Sequence, residues 1–287
     1  MTATTPDLRR QIHQYLLHAL EEDHGAGDHS SLAVIPAQCL GRAQLKIKSE
    51  CRLAGMVLAS ELLAMYHPGL QLRDAQPDGA DVAQGQTGFC LEGPLRALLG
   101  IERLLLNSIQ HMSAIATQTR DFAEKLRATG VRLLDTRKTT PNMRFLDKWA
   151  VRLGGGDNHR FGLYDMIMLK DNHVDAAGGI GPALRMAHQY REAHQLDIPI
   201  ELETRSLEEV RCALAGPVPD ILMLDNFDLS SLREAVLLIG ARCQTEASGG
   251  ITLDNVLEYA QTGVGAVSTS VLTRPQWYPD LSLKIVA

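Results

Sequence analysis

Three stretches of this chain concentrate residue types that bind anions: Asp135-Thr136-Arg137-Lys138-Thr139-Thr140-Pro141, Gly154-Gly155-Gly156-Asp157-Asn158-His159-Arg160 and Lys170-Asp171-Asn172-His173. Arg137 offers a planar fork of N–H donors and Lys138 a flexible ammonium, a combination that suits carboxylate or phosphate. Taken alone, Arg-Lys reads as a surface ion pair with Asp135 or Asp147. Glycines beside His159-Arg160 let backbone approach a ligand closely, although a glycine triplet is also an ordinary helix exit. Two carboxylates, Glu201 and Glu203, stand two apart on an expected strand and share a face. There they meet cations, metal or hydroxyls, because unpaired buried carboxylates are costly. They could simply neutralise Lys170; Asp225 at the next strand end adds a second role, holding Mg²⁺ or ribose hydroxyls. Ser248-Gly249-Gly250, with Thr252 opening an expected helix, has the form of a phosphate cradle. His24 and His29 lack metal-ligand spacing and read as solvated loop residues.

These residues need a scaffold that brings them together. Between residues 131 and 268 the pattern alternates apolar runs with helical stretches: strands at 131–134, 166–169, 198–202, 221–224, 243–247 and 266–268, and helices at 182–193, 207–215 and 229–238. Such alternation implies a parallel sheet with helices outside it, and six units suit a closed α/β barrel. A doubly wound open sheet is the alternative. Each functional candidate falls at or just after the carboxyl end of a strand, the rim that carries the active site in parallel barrels. Upstream, residues 7–22 have helical spacing, 41–92 form a small α+β unit with a turn at Pro77-Asp78-Gly79, and a long apolar helix from Pro94 towards Leu126 joins the halves.

Composition narrows the function classes. The chain has 287 residues, 45% hydrophobic and 22% charged, with a net charge of −6. That is a folded protein with no broad basic face for nucleic acid or anionic membrane. No apolar run reaches the roughly 20 residues of a bilayer span, and residues 1–14 are too polar for a signal peptide, so a cytoplasmic location is expected. Five cysteines without a C-x-x-C pair argue against disulfides or a thiolate zinc site, and each is expected to be a small buried residue. From the residues alone, the chain is a barrel enzyme for a phosphate ester and a second anion.

The ordered motifs Asp-Thr-Arg-Lys-Thr-Thr-Pro, Gly-Gly-Gly-x-Asn-His-Arg, Lys-Asp-Asn-His, Leu-Asp-Asn (Leu224–Asn226) and Ala-Ser-Gly-Gly (Ala247–Gly250) resemble the quinolinate phosphoribosyltransferase family. The resemblance runs from Glu22-Asp23 and Gly27-Asp28 to Asp280-Leu281-Ser282-Leu283. It implies an α/β fold of the type II phosphoribosyltransferase kind: an N-terminal α/β sandwich over residues 1–112, with 276–287 packing back on it, and an open parallel α/β barrel over 113–275. It further implies quinolinate and phosphoribosyl pyrophosphate as substrates, Mg²⁺ as cofactor, and a homo-oligomer, expected as a dimer, in which Arg103 is donated across the interface. Residue by residue, it implies that Arg103, Arg137, Lys138, His159 and Arg160 hold the pyridine dicarboxylate. Lys170 contacts the phosphoribosyl substrate, Glu203 and Asp225 its ribose and the metal. Ser248, Gly249, Gly250, Ser268 and Ser270 complete the substrate set, with Lys138, Lys170, Glu203 and Asp225 closest to the chemistry. Thr269-Ser270-Val271-Leu272-Thr273-Arg274-Pro275 departs from the family pattern, with Ser270 where glycine is usual. That departure keeps a different heteroaromatic acceptor open as an alternative, alongside a silent phosphate-ligand binding protein.

Overall fold

The computed structural model describes residues 6–286; residues 1–5 and 287, which lie at the two ends of the expected sandwich, fall outside the described residues. The chain divides into two compact units. One holds residues up to Arg120, Thr140–Gly155 and the chain from Arg274 onward; the other holds Asp121–Thr139 and Gly156–Thr273.

The first unit starts with helices α1 (Pro6–His24) and α2 (His29–Val34), followed by β1 (Leu40–Ile47), β2 (Cys51–Arg52), α3 (Met56–Tyr66), β3 (Gln71–Arg73), β4 (Asp81–Val82) and β5 (Thr87–Pro94). Alternation decides its main sheet: Ala43, Leu45 and Ile47 on β1 are buried while their neighbours are not. The last strand of the chain, Leu281–Val286, pairs antiparallel with β1 from Ile47↔Leu281 to Arg42↔Val286, giving a four-stranded sheet with that strand at the edge. Asp28 caps α2 through the Ser31 N–H. His24 does not lie in solvent as expected: it ends α1, packs edge-on against Tyr66 and has Nε2 3.3 Å from the Tyr66 hydroxyl. Helix α4 (Leu95–Leu126) passes from the first unit into the second at Asp121.

The second unit is built on β6 (Arg132–Leu134), and the chain then forms α5 (Arg144–Gly154), β7 (Ile167–Leu169), α6 (Asp171–Ala176), α7 (Ile180–Ala193), β8 (Ile200–Thr204), α8 (Leu207–Leu214), β9 (Ile221–Asp225), α9 (Leu229–Ile239), β10 (Gln244–Ser248), α10 (Val256–Ala260), β11 (Ala266–Ser268) and the edge strand β12 (Leu281–Val286) already described. The six parallel strands run in the order β6-β11-β10-β9-β8-β7. The closed barrel expected from periodicity is therefore an open one, since among the described residues β6 and β7 form no ladder. Part of the reason is visible at the β6 edge. The irregular segment at Asp157 bridges Leu134, with the Asp157 N–H donating to Leu133 O at 2.7 Å. The helix between these two strands, α5, also groups with the first unit rather than with the sheet. Strands β8 and β9 are buried on both faces, as helix-covered parallel strands are.

The cysteines correct a uniform expectation. Cys51 and Cys90 are buried, Cys39 and Cys243 half-buried and Cys212 exposed; all five are free thiols. Burial raises the Cys51 thiol to about 11, which makes it an inert core residue.

Candidate active site

Six strand ends of the second unit open into one cavity of about 490 Å³. Thr136, Arg137 and Lys138 enter it after β6, Lys170 after β7, Glu203 from β8, Asp225 from β9, Ser248 from β10 and Ser268 from β11; His159 and Arg160 come from the irregular segment before β7. Sequence reasoning missed Thr136, Met168 and Met223, which also line it. The thioethers supply its apolar surface, suited to the face of a flat ring.

The loop after β6 is fixed from both sides. The Lys138 N–H donates to Thr136 Oγ1 at 3.0 Å, and Thr273 Oγ1 donates to Lys138 O at 2.8 Å. Neither acid suggested as a surface partner for Arg137-Lys138 is idle. Asp135 is fully buried, accepting from Asn158 Nδ2 at 2.7 Å and from the His159 N–H at 2.9 Å, and Asp147 accepts from His111 and the Thr140 N–H. Arg137 Nε and Ser268 Oγ are buried without a hydrogen-bond partner among the described residues. Buried donors left this way cost stability, so they mark where a ligand's acceptors belong.

Arg160 shares this wall with Arg137. Burial and then the Arg137 charge lower its pKa, while Glu201 and Asp165 act in the opposite direction. Two guanidinium groups close enough to repel complement a doubly charged anion. On the other side, Lys170 Nζ donates to Glu203 Oε2 at 2.6 Å, and the Lys170 N–H is held by His173 Nδ1 at 2.9 Å. Asp225 accepts from Asn226 Nδ2 at 2.6 Å. Its carboxyl is pushed above the ordinary carboxylate range, first by burial and then by the Glu203 charge. Two acidic oxygen donors side by side, one held from ionising by burial and its neighbour's charge, are of the kind that suits a hard divalent cation such as Mg²⁺.

His159 lines the cavity, but its ring nitrogens face the protein. Nε2 lies 3.1 Å from Glu201 Oε2 and 3.4 Å from Glu246 Oε2, and Nδ1 accepts from the Arg160 N–H at 2.7 Å. Burial disfavours charge on the ring, whereas hydrogen bonds and charge from Glu201 and Glu246 favour it. A second ring proton would have to sit on Nδ1, against the Arg160 N–H, which can only donate. The hydrogen bond decides: with Nδ1 accepting, the ring carries its proton on Nε2, while burial raises the pKa of the facing Glu201 carboxyl. The His159 nitrogens are thus turned towards the carboxylates and the Arg160 N–H, while Arg137, Lys138 and Arg160 line the same cavity.

Several expected residues do not line the cavity. Gly249 and Gly250 follow Ser248 with φ of +91° and +63°. A Cβ on Gly249 would collide with the Asn226 side chain and lie 2.8 Å from its backbone nitrogen, so the glycine is required by packing. Thr252 does not open a helix: α10 starts at Val256, because Asn255 ties off the preceding turn, accepting from the Thr252 N–H and donating to Gly250 O. Ser270 is half-buried outside the lining, and Arg103 is exposed on α4 in the first unit.

Comparison with known proteins agrees with this arrangement. Residues 28–113 match the family description "Quinolinate phosphoribosyl transferase, N-terminal domain" and residues 115–284 its C-terminal domain. A tobacco (Nicotiana tabacum) "Quinolinate phosphoribosyltransferase [decarboxylating] 2b, mitochondrial" is 43% identical over 282 residues, covering 93% of this chain and 80% of the relative. A "Probable nicotinate-nucleotide pyrophosphorylase [carboxylating]" of Bacillus subtilis is 40% identical, covering 96% and 93%. Among solved structures, NadC from Streptococcus pyogenes superposes with a TM-score of 0.91 at 34% identity over all of both chains. The nicotinate-nucleotide pyrophosphorylase of Francisella tularensis does so with a TM-score of 0.89 at 33% identity, covering 96% of each. With both domain descriptions matched in order and a cavity of this composition at the strand ends, the chain belongs to the quinolinate phosphoribosyltransferase family.

Proposed function

We propose that the protein transfers the phosphoribosyl group of phosphoribosyl pyrophosphate to quinolinate with loss of one carboxylate, giving nicotinate mononucleotide, pyrophosphate and carbon dioxide. The observation that carries this reading is the convergence of Arg137, Lys138 and Arg160 with Lys170, Glu203 and Asp225 in one cavity. One side suits a rigid aromatic dianion. The other suits a sugar that becomes cationic as its leaving group departs.

The chemistry follows from that division. Breaking the anomeric C–O bond sends its electron pair out with pyrophosphate and leaves positive charge on the ribose. Glu203 and Asp225 stabilise that charge more than the neutral ground state. The pyridine nitrogen lone pair forms the new C–N bond and the ring becomes cationic. The adjacent carboxylate then leaves as carbon dioxide, its bonding electrons staying on the ring carbon, which takes up a proton. Arg137 and Arg160 fix the ring so that its nitrogen faces the anomeric carbon, and alignment supplies much of the rate. Lys170, paired with Glu203, keeps a cation beside the phosphoribosyl group.

Glu203 and Asp225 would hold Mg²⁺, which when bound supplies positive charge to the pyrophosphate oxygens. The proposal extends to a homodimer in which the exposed Arg103 completes the neighbour's site. A reducing compartment such as the cytoplasm suits five free thiols. No helix among the described residues is long and apolar enough to cross a membrane.

The test is incubation of purified protein with quinolinate, phosphoribosyl pyrophosphate and Mg²⁺. Nicotinate mononucleotide, pyrophosphate and carbon dioxide are expected in equal amounts. Product without carbon dioxide, or turnover only with an acceptor that lacks the second carboxylate, would contradict it.

A further inference from the structure

Beneath the cavity lies a buried group of charges that transfer chemistry does not use. Glu201 on β8 and Glu246 on β10 are 0% and 2% exposed, and their carboxylates lie within 4.8 Å of each other and of the His159 ring. Neither carboxylate lines the cavity. Burying two acids side by side is expensive, and an apolar pair of similar volume would serve a barrel interior at least as well. Their position therefore calls for an explanation other than stability.

A metal site is the obvious alternative, and the hydrogen bonds count against it. The Arg160 N–H donates to His159 Nδ1 at 2.7 Å, so the ring proton occupies Nε2 and that nitrogen has no lone pair for a metal. The same bond points to another role. Residues 158–166, which carry Arg160, contain no helix or strand. Arg160 is therefore aimed by side-chain ties: Asp135 holds the Asn158 amide and the His159 N–H, Asp165 holds the Phe161 and Gly162 N–H groups, and His159 Nδ1 holds the Arg160 N–H itself. Of these, the imidazole tie depends on the rotation of the ring, and the carboxylates of Glu201 and Glu246 lie 3.1 and 3.4 Å from its Nε2.

We propose that Glu201 and Glu246 are positioning residues that lock the His159 ring and, through its Nδ1, fix the backbone from which Arg160 reaches the dicarboxylate. The inference rests on the reading of the cavity given above and adds to it that acceptor recognition is set partly from below. Loosening the ring turns Arg160 off its target while leaving the phosphoribosyl side of the cavity in place.

Steady-state kinetics on the full-length chain test this, with folding checked by circular dichroism and thermal melting. Glu246→Ala is expected to raise the KM for quinolinate about tenfold or more, with the KM for phosphoribosyl pyrophosphate within about twofold of the unchanged protein. Glu246→Gln, which keeps an acceptor oxygen opposite Nε2, is expected to recover most of that loss. A folded Glu246→Ala with unchanged quinolinate KM, or with both KM values raised equally, overturns the proposal. Arg160→Ala separates the two levels of argument. If it leaves the quinolinate KM unchanged, the cavity reading itself fails. If it raises that KM while folded Glu246→Ala does not, only the positioning role fails. Should Glu246→Ala not fold, nitrogen NMR of histidine-labelled wild-type protein is decisive: His159 is expected as a neutral ring protonated on Nε2, and an Nδ1-protonated ring there overturns the proposal.

Discussion

The sheets of the two units bury opposite things. In the first, the eight-residue β1 turns Ala43, Leu45 and Ile47 inward; in the second, the five-residue β8 and β10 turn Glu201, Glu203 and Glu246 to the inner face, with Glu201 and Glu246 buried. Both solutions hold a sheet together, but the second places buried donors that no described residue satisfies, Arg137 Nε and Ser268 Oγ, on side chains that line a cavity. The difference separates stability from function within one chain. Changes in the first sheet should be felt in folding, and changes on the second sheet's inner face in ligand affinity.

The largest expected effect is on stability. Leu45→Ala removes a fully buried side chain from the first sheet and should cost about 2–5 kcal/mol in urea unfolding, with kcat/KM of the folded fraction unchanged. Loss of activity in the folded fraction would blur the distinction. Next in size, Arg137→Ala should weaken quinolinate binding about a hundredfold while leaving the circular dichroism spectrum and melting temperature intact. Unchanged affinity would remove the residue from the acceptor wall. Gly249→Ala sharpens the comparison from within the second unit. Forcing a Cβ against Asn226 at φ +91° should cost about 1–3 kcal/mol and lower kcat by displacing the Asn226–Asp225 hydrogen bond. The smallest effect is expected of Ser270→Gly, which restores the family pattern outside the cavity lining and should shift the KM for phosphoribosyl pyrophosphate by no more than about twofold. A larger gain would show that the departure at residues 269–275 reaches the site after all.

How much of this could be read from the chain alone follows from what a linear pattern encodes. Strand ends were legible because alternation of apolar runs and helices places Lys170, Glu203, Asp225 and Ser248 at equivalent positions, and parallel pairing then forces them to one rim. Depth was not legible. Glu201 and Glu203 share a face, yet one reaches the buried His159 and the other Lys170, because two residues along a strand separate floor from rim. Glu246 passed unnoticed for the same reason, as a single acid inside Thr245-Glu246-Ala247 gives no sign of its partners. Helix α5 was hidden behind the more conspicuous motifs on either side of it. The missing β6–β7 ladder and the late start of α10 depend on the bridge at Asp157 and the turn tied by Asn255, neither of which periodicity records.

The most direct test of the central claim is a crystal structure with phthalate, a flat dicarboxylate that cannot react. The account predicts its two carboxylates against Arg137, Lys138 and Arg160, its ring beside Met168 and Met223, and its open edge towards Lys170 and Glu203. Phthalate bound away from these side chains, or no binding at concentrations that inhibit turnover, would contradict it.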